Sequence, residues 1–425
     1  MSSAHNVDLS QQKRWLLALL LASPFILIAI HRLFLLPYAI LAITGMVLLV
    51  QQWRADKSLL LHDKAVQCFY GVFLLLWLPM LIANIDTATP KQSWKVTNLF
   101  FLYSFMGIAV FFLLRKYALY RQVYLILSAL LVFWAVDALF QTIVKFDVFG
   151  VPLIREKATV GKANIFFTRP NTFGFYMGLM ACLPLYFMVL QKTQRIWQML
   201  IAAVLSIGVL LGSIRAGWVM FFWAMLPFAY WFYWRKSQRP WLLLVGAVSV
   251  TALLLALMIK LSPGIQERLQ TTKGFQTWDY HAINTASSLR LDIWWAATKI
   301  GYEHPINGLG TDSFEEKFRP YLPPQAIWPA DVDAAHPHQV LLEIWAATGS
   351  IGILGFLLAW WVVWRLWQQA NKQQRLLALP MLIPFFVLWW PINTHIGFYM
   401  SEVATLTLFM LGFVVAALTH QERAR

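Results

Sequence analysis

Long apolar runs separated by short polar breaks dominate the chain. They recur at 15–31, 36–53, 66–85, 97–114, 123–144, 171–190, 197–214, 216–234, 241–260, 350–367, 376–393 and 397–418. A run of about 20 apolar residues is long enough to cross the hydrocarbon core of a bilayer as a helix. A helix satisfies its own backbone polar groups, which lipid cannot do. The pattern predicts an all-α polytopic membrane protein with about twelve transmembrane helices. A short turn around His31 and Arg32 joins the first two runs, and "PINTHIG" breaks the last pair.

One stretch breaks this rhythm. Residues 261–349 mix polar and apolar positions and open on the Gly-Pro break "SPG" at 262–264. "GIQERLQTTKGF" predicts one short helix and "SSLRLDIWWAATKI" another, with Ser287 or Ser288 as N-cap and Asp292 in its first turn. "EHPINGLGTDSF" reads as a turn, "YLPPQAIWPADVDAAHPH" as an extended lead-in, and a final helix is expected to start near His338. The chain thus divides into 1–260 with the first nine spans, a large and mostly helical loop at 261–349, and 350–425 with the last three spans.

Charge fixes the orientation. With the N-terminus inside, the cytoplasmic segments hold 18 of the 34 Lys/Arg and four of the 19 Asp/Glu. Almost all of the formal net charge of +15 therefore follows the positive-inside rule. This removes nucleic acid as the explanation of the basic balance, since the large loop itself carries six Lys/Arg against nine Asp/Glu over 261–337. Both termini are expected in the cytoplasm, with loops 86–96, 145–170 and 261–349 outside. Composition agrees: 60% hydrophobic and 12% charged, where a soluble domain has about 25% charged. Cys68 and Cys182 lie in apolar runs and read as packed thiols. The first run has no A-x-A-like site and reads as a span, not a cleaved signal. Trp278, Trp294, Trp295, Trp328 and Trp345 suit either a loop lying on the membrane or one packed onto the bundle.

Ionisable groups at membrane depth are costly and are candidates for function. Asp137 lies inside the fifth span, where pairing within the bundle is the structural reading. Arg169 opens the sixth span, Arg215 sits at the junction of the seventh and eighth, and Glu402 near the outer end of the last. An arginine at a boundary can simply snorkel. Arg290 and His338 belong to the outer loop and can equally be a solvated arginine and a hydrogen-bonded histidine. His336 and His338 could chelate a metal as H-x-H, but no third ligand pattern accompanies them.

Four segments together carry a resemblance. "HQVLLEIWAATGSIG" reads His338-Gln339, nine residues, then Gly349-Ser350-Ile351-Gly352. This is similar to the H-[NSQ]-x9-G-x-x-G pattern of the bacterial O-antigen ligase family. "FTRPNTFGFYMGL" (167–179), "GSIRAGW" (212–218) and "HPINGLGTDSF" (304–314) resemble that family's other segments in the same order. One position departs: the family's R-x3-L pattern has Trp294 in place of Leu after Arg290, and Arg268 is the rival arginine.

The resemblance implies a GT-C-like enzyme that needs no metal or other cofactor. It implies transfer of O-antigen polysaccharide from undecaprenyl pyrophosphate to a sugar hydroxyl of lipid A–core oligosaccharide, with inversion, at the periplasmic face of a Gram-negative inner membrane. On that reading His338 is the general base, since a neutral imidazole with a pKa of about 6.5 suits proton abstraction. Arg215 and Arg290 bind the pyrophosphate, because guanidinium forks grip phosphate oxygens bidentately. Arg169 and Gln339 are further substrate-binding candidates, and Gly349 and Gly352 allow a close approach or a bend. A polymerase or a protein O-oligosaccharyltransferase using the same carrier is the alternative. A transporter would carry repeats and charges at the midplane, whereas the charges here cluster at the outer ends of the spans.

Overall fold

The computed structural model describes residues 10–30, 35–57, 62–153, 163–167, 170–232, 263–391 and 396–420, with a few isolated positions beside them. All but two positions of the expected ninth span (241–260), together with the His31-Arg32 turn and Arg169, lie outside the described residues.

The chain is helical throughout the described residues. The first half comprises α1 (Gln11–Leu27), α2 (Leu35–Ala55), α3 (Lys64–Ala83), α4 (Pro90–Tyr117), α5 (Tyr120–Val144), α6 (Pro170–Met180), α7 (Leu183–Leu190), α8 (Arg195–Leu211) and α9 (Arg215–Phe232). The loop holds α10 (Pro263–Thr272), α11 (Tyr280–Ala286), α12 (Arg290–Glu303) and α13 (Phe314–Lys317). Then come α14 (Val340–Gln369), α15 (Lys372–Leu388) and α16 (Ser401–Leu418). Seven stretches among the described residues are long and apolar enough to cross a membrane: Leu35–Ala55, Lys64–Ala83, Pro90–Tyr117, Tyr120–Val144, Asn171–Leu190, Val340–Gln369 and Ser401–Leu418. The helices α1, α8, α9 and α15 coincide with four further expected spans, at 17, 17, 18 and 17 residues. That is the lower edge of what a crossing requires.

Local chemistry sets the helix ends. Asp63 caps α3 by accepting from the Ala65 and Val66 amides at 2.9 and 3.4 Å, and it pairs with Arg115 at the end of α4. Asn371 and Gln374 form a reciprocal capping box at the start of α15. The bundle is built around α16, whose residues Val403–Leu418 are all buried and which packs on α4 and α15. Peripheral helices keep an apolar face outward, as at Ile43 and Val47 on α2 and Leu354, Leu357 and Trp361 on α14. That is the arrangement a lipid solvent requires.

The segment 263–349 has a small core of its own: Ile293, Ala296, Ala297 and Ile300 of α12 meet Phe314, Phe318, Ala334 and Ala346. Trp294 and Trp328 pack against this core, and Trp345 lies 4.9 Å from the Tyr302 ring. Trp278 and Trp295 remain exposed, at 91% and 54%. The loop is also tied to the connection between α3 and α4. Ser93 Oγ donates to Thr311 O (2.5 Å), the Thr89 and Ser313 hydroxyls share a 2.6 Å bond, and Asn307 Nδ2 donates to Asp86 Oδ1 (2.6 Å).

Two local expectations differ from the fold. Asp137, 1% exposed, accepts from the Val148 backbone amide at 3.0 Å and not from a side chain of another span. The loop after α5 folds back over it and supplies the donor. The last loop helix and the tenth span are one element, α14, which runs through the expected boundary at 349–350 with a kink at Gly349.

Candidate functional site

The four segments that carry the family resemblance lie apart in sequence, and the fold links them into one chain of contacts. Segment 167–179 supplies α6, and 212–218 supplies the start of α9. Their backbones touch: a Cβ added at Gly178 would run into Gly217, and one at Gly174 would sit 2.8 Å from Ile214 and 2.9 Å from the Gly212 carbonyl. Ser213, in a left-handed conformation (φ 51), turns the chain sharply between α8 and α9. That turn puts Arg215 at the first position of α9.

Arg215 reaches the segment before α12. Its Nη2 donates to Ser288 Oγ at 2.7 Å, and its Nη1 donates to the Ala286 carbonyl. These partners immediately precede Arg290, the first residue of α12. The start of α12 differs from expectation. Leu289 occupies the cap position with φ 61 and no side-chain bond, and Ser288 also has φ 61. The helix amides are satisfied from further back. Ser287 Oγ accepts from Arg290 N (3.3 Å), and Asn284 Oδ1 accepts from Leu291 N (3.1 Å) and Asp292 N (3.4 Å). Ser288 is thereby free to receive Arg215. Asp292 is buried and accepts from the Tyr280 hydroxyl (2.5 Å) and the Ile327 amide (3.2 Å), which anchors the proline-rich lead-in to α12. Burial and the neighbouring Asp292 carboxylate push the Tyr280 phenol up from its ordinary value.

Trp294 makes the next link. It stands one helical turn after Arg290, on the same face, and its indole N–H donates to the Pro337 carbonyl at 3.0 Å. The large residue at the position where this sequence departs from the family pattern therefore bonds to the residue before His338. His338 is half-buried and left-handed (φ 55), with its ring 4.0 Å from the His336 ring. Such a conformation is uncommon outside glycine and clusters at functional sites.

α14 begins after His338, with Gln339 as its N-cap. Gln339 Oε1 accepts from Leu342 N and its Nε2 donates to the Pro391 carbonyl, both at 2.5 Å. Both ends of this amide are thus engaged with backbone, so Gln339 clamps the histidine segment to the end of α15. Glu343, one turn further on, is buried and accepts from the Phe398 and Tyr399 amides at 2.8 and 3.2 Å. Sequence reasoning missed Glu343. The signal was a carboxylate inside an apolar helix, four residues after Gln339. A small, partly open cleft lies beside it, lined by Asp312, His336, Glu343 and Tyr399 among others. Burial first, and then Glu315, push the Asp312 carboxyl up from its ordinary value, while Lys95 opposes them.

The last link is Gly349, whose backbone (φ 60, ψ −157) breaks α14. The turn 304–310 enters this break. Ser350 N donates to Pro305 O (2.9 Å), Ile351 N to Ile306 O (3.2 Å), Leu309 N to Ala346 O (2.8 Å) and Gly310 N to Ala347 O (3.0 Å). Gly352 packs against Thr348, whose hydroxyl bonds Ile344 O (2.8 Å) and the Tyr399 hydroxyl (3.0 Å). Arg268 lies on α10 with its side chain outside the described residues. Among the described residues, no group of three or more His, Cys, Asp or Glu side chains is arranged to hold a metal ion.

These features fit a multi-pass helical membrane protein in which the helical segment 263–349 carries Arg290 and His338 and is bonded to Arg215 at the start of α9. Residues 200–357, which include Arg215, Arg290, His338, Gly349 and Gly352, match the family model described as O-antigen ligase. That match supports assignment to the O-antigen ligase family. No curated protein matches the chain. At the level of the superfamily, the match implies a glycosyltransferase-type ligase or polymerase activity on lipid-linked polysaccharide.

Proposed function

We propose that the chain is an O-antigen ligase. It transfers O-antigen polysaccharide from undecaprenyl pyrophosphate to a sugar hydroxyl of lipid A–core, at the periplasmic face of the inner membrane of a Gram-negative cell. The observation that carries this reading is the continuous bonding from Arg215 through Ser288 to α12, and from Trp294 to Pro337, within the segment that matches the family. The loop 261–349 acts as the catalytic unit, docked on a GT-C-like bundle with both termini cytoplasmic.

In this mechanism His338 removes the proton of the acceptor hydroxyl. The oxygen attacks the anomeric carbon from the face opposite the pyrophosphate, which inverts that centre. The bond to the pyrophosphate breaks, and the leaving group takes the electron pair. Arg215 and Arg290 stabilise that growing charge, and preorganised positive groups beside developing charge are usually the largest catalytic term. Arg169 is a third candidate for the same anion. No metal ion has a step in this scheme. Gln339 and Glu343 hold the histidine segment in place, while Gly349 supplies the bend that seats the 304–310 turn.

Deleting the gene and analysing lipopolysaccharide tests the reading. A ligase predicts bare lipid A–core with accumulated carrier-linked polymer. Core capped with a single repeat unit would assign a polymerase instead, and unchanged lipopolysaccharide would refute both. His338→Ala is expected to abolish transfer with the protein still in the membrane, and retained transfer would remove His338 as base. A chelator is expected to leave transfer unchanged, and inhibition reversed by a divalent ion would refute the metal-independent scheme.

A further inference from the structure

α12 has two apolar faces, and the protein covers one of them. Ile293, Ala296, Ala297 and Ile300 are buried in the loop core. On another side Trp295, Lys299 and Tyr302 follow at helical spacing and are all exposed, Trp295 at 54% and Tyr302 at 71%. Ile306, just past the helix end, is 64% exposed. Single exposed apolar residues need no explanation, but three large ones along one side, interrupted only by Lys299, do.

The ends of α12 fix its height relative to the spans. At its N-terminal side, Ala286 and Ser288 are bonded to Arg215, the first residue of α9. At its C-terminal side, Pro305 and Ile306 accept from Ser350 and Ile351, just past the kink of α14 at Gly349. One end of α12 is therefore tied to the start of α9 and the other to the kink in α14. A helix of 14 residues is about 21 Å long, so α12 bridges these two anchor points. The outward face of α14 continues from the same point through Leu354 (59%), Leu357 (53%) and Trp361 (58%).

We propose that α12 is an interfacial helix. Its Trp295–Tyr302–Ile306 stripe is bedded in the boundary between lipid headgroups and acyl chains of the outer leaflet, continuous with the lipid-facing side of α14. The composition fits this partner. Tryptophan and tyrosine prefer that boundary because their rings are apolar with a polar edge. Lys299, between them, turns its ammonium toward the Tyr321 ring of the loop, 5.8 Å from its centroid, and its apolar stem can lie along the boundary. The inference does not depend on the reaction catalysed. If the functional reading also holds, bedding α12 sets Arg290, its first residue, at the level where a lipid-borne pyrophosphate emerges.

The test uses the full chain in lipid nanodiscs with Cys68 and Cys182 replaced by Ala. Single cysteines are placed at Trp295→Cys, Tyr302→Cys and, as a control on the exposed lead-in, Asp331→Cys. Each carries an environment-sensitive fluorophore, and each variant must elute as the parent does. Fluorescence at 295 and 302 is expected to fall as lipids brominated along the acyl chain replace ordinary ones, with no change at 331. Equal behaviour at all three positions would overturn the proposal. So would unquenched labels at 295 and 302 that become shielded when a membrane extract is added, since that result assigns the stripe to a protein partner. The readout contains no transfer step, so a failed ligase assignment leaves it intact.

Discussion

Gly349→Ala probes the junction on which the site depends. Position 349 has φ 60 and ψ −157, a region that is essentially restricted to glycine and costs other residues about 1–3 kcal/mol. There is also no space. The added Cβ would enter the Ile306 carbonyl and lie 2.6 Å from the Asn307 amide nitrogen. Those atoms are backbone and cannot rotate away, so the 304–310 turn must move out of the break. That move loosens the bonds of Ser350, Ile351, Leu309 and Gly310 across the junction, each worth about 0.5–1.5 kcal/mol net. Losing half of them together with the strain gives a destabilisation of about 3–4 kcal/mol. A loss of that size lowers the folded-to-unfolded ratio by more than about 100-fold. Thermal unfolding of the purified protein and transfer to core in a complemented deletion strain are the measurements, with both expected to drop. Gly352→Ala provides the contrast. Its added Cβ would meet the Thr348 side chain, so removing that side chain in Gly352→Ala/Thr348→Ala is expected to recover part of the loss. A Gly349→Ala protein with the parent's melting temperature and transfer would refute the argument that the bend is enforced by the 304–310 backbone.

Other consequences follow from the same geometry. Glu343→Ala leaves the Phe398 and Tyr399 amides buried without an acceptor, at about 1–3 kcal/mol each. Glu343→Gln keeps one acceptor and is expected to lie between Ala and the parent in thermal unfolding. Arg215→Lys loses the fork that reaches Ala286 and Ser288 together, so transfer is expected to fall at least about tenfold, with lysine rescuing poorly because it is a point charge; near-normal transfer would show that a positive charge suffices. Asp312→Asn tests a pH effect. Burial raises the Asp312 carboxyl, so its folded-state contribution is present at low pH and lost as pH rises through the raised value. The variant is expected to melt higher than the parent at neutral pH, with the difference shrinking on acidification. Asparagine also tolerates the left-handed backbone there (φ 63).

The sequence by itself determined the class of this protein. Apolar runs long enough to cross a bilayer leave the backbone few alternatives to helix, because nothing in lipid can satisfy an open N–H or carbonyl. The spacing of His338, Gly349 and Gly352 and the order of the four motif segments were equally legible, being local patterns. Their joining was not. Arg215 and Ser288 are 73 positions apart and Trp294 and Pro337 are 43 apart, and no periodicity encodes which backbone carbonyl a guanidinium or an indole will reach. The Ser287-or-Ser288 cap was met in part: Ser287 Oγ accepts from Arg290 N, while Leu289 holds the cap position and Asn284 takes the next two amides. Glu343 went unread because its partners, the amides at 398 and 399, reach it only through tertiary structure. Tertiary structure also decided the bend at Gly349. A glycine allows such a backbone at any position, but only the entry of the 304–310 turn, with its own donors and acceptors to satisfy, makes the bend the stable state.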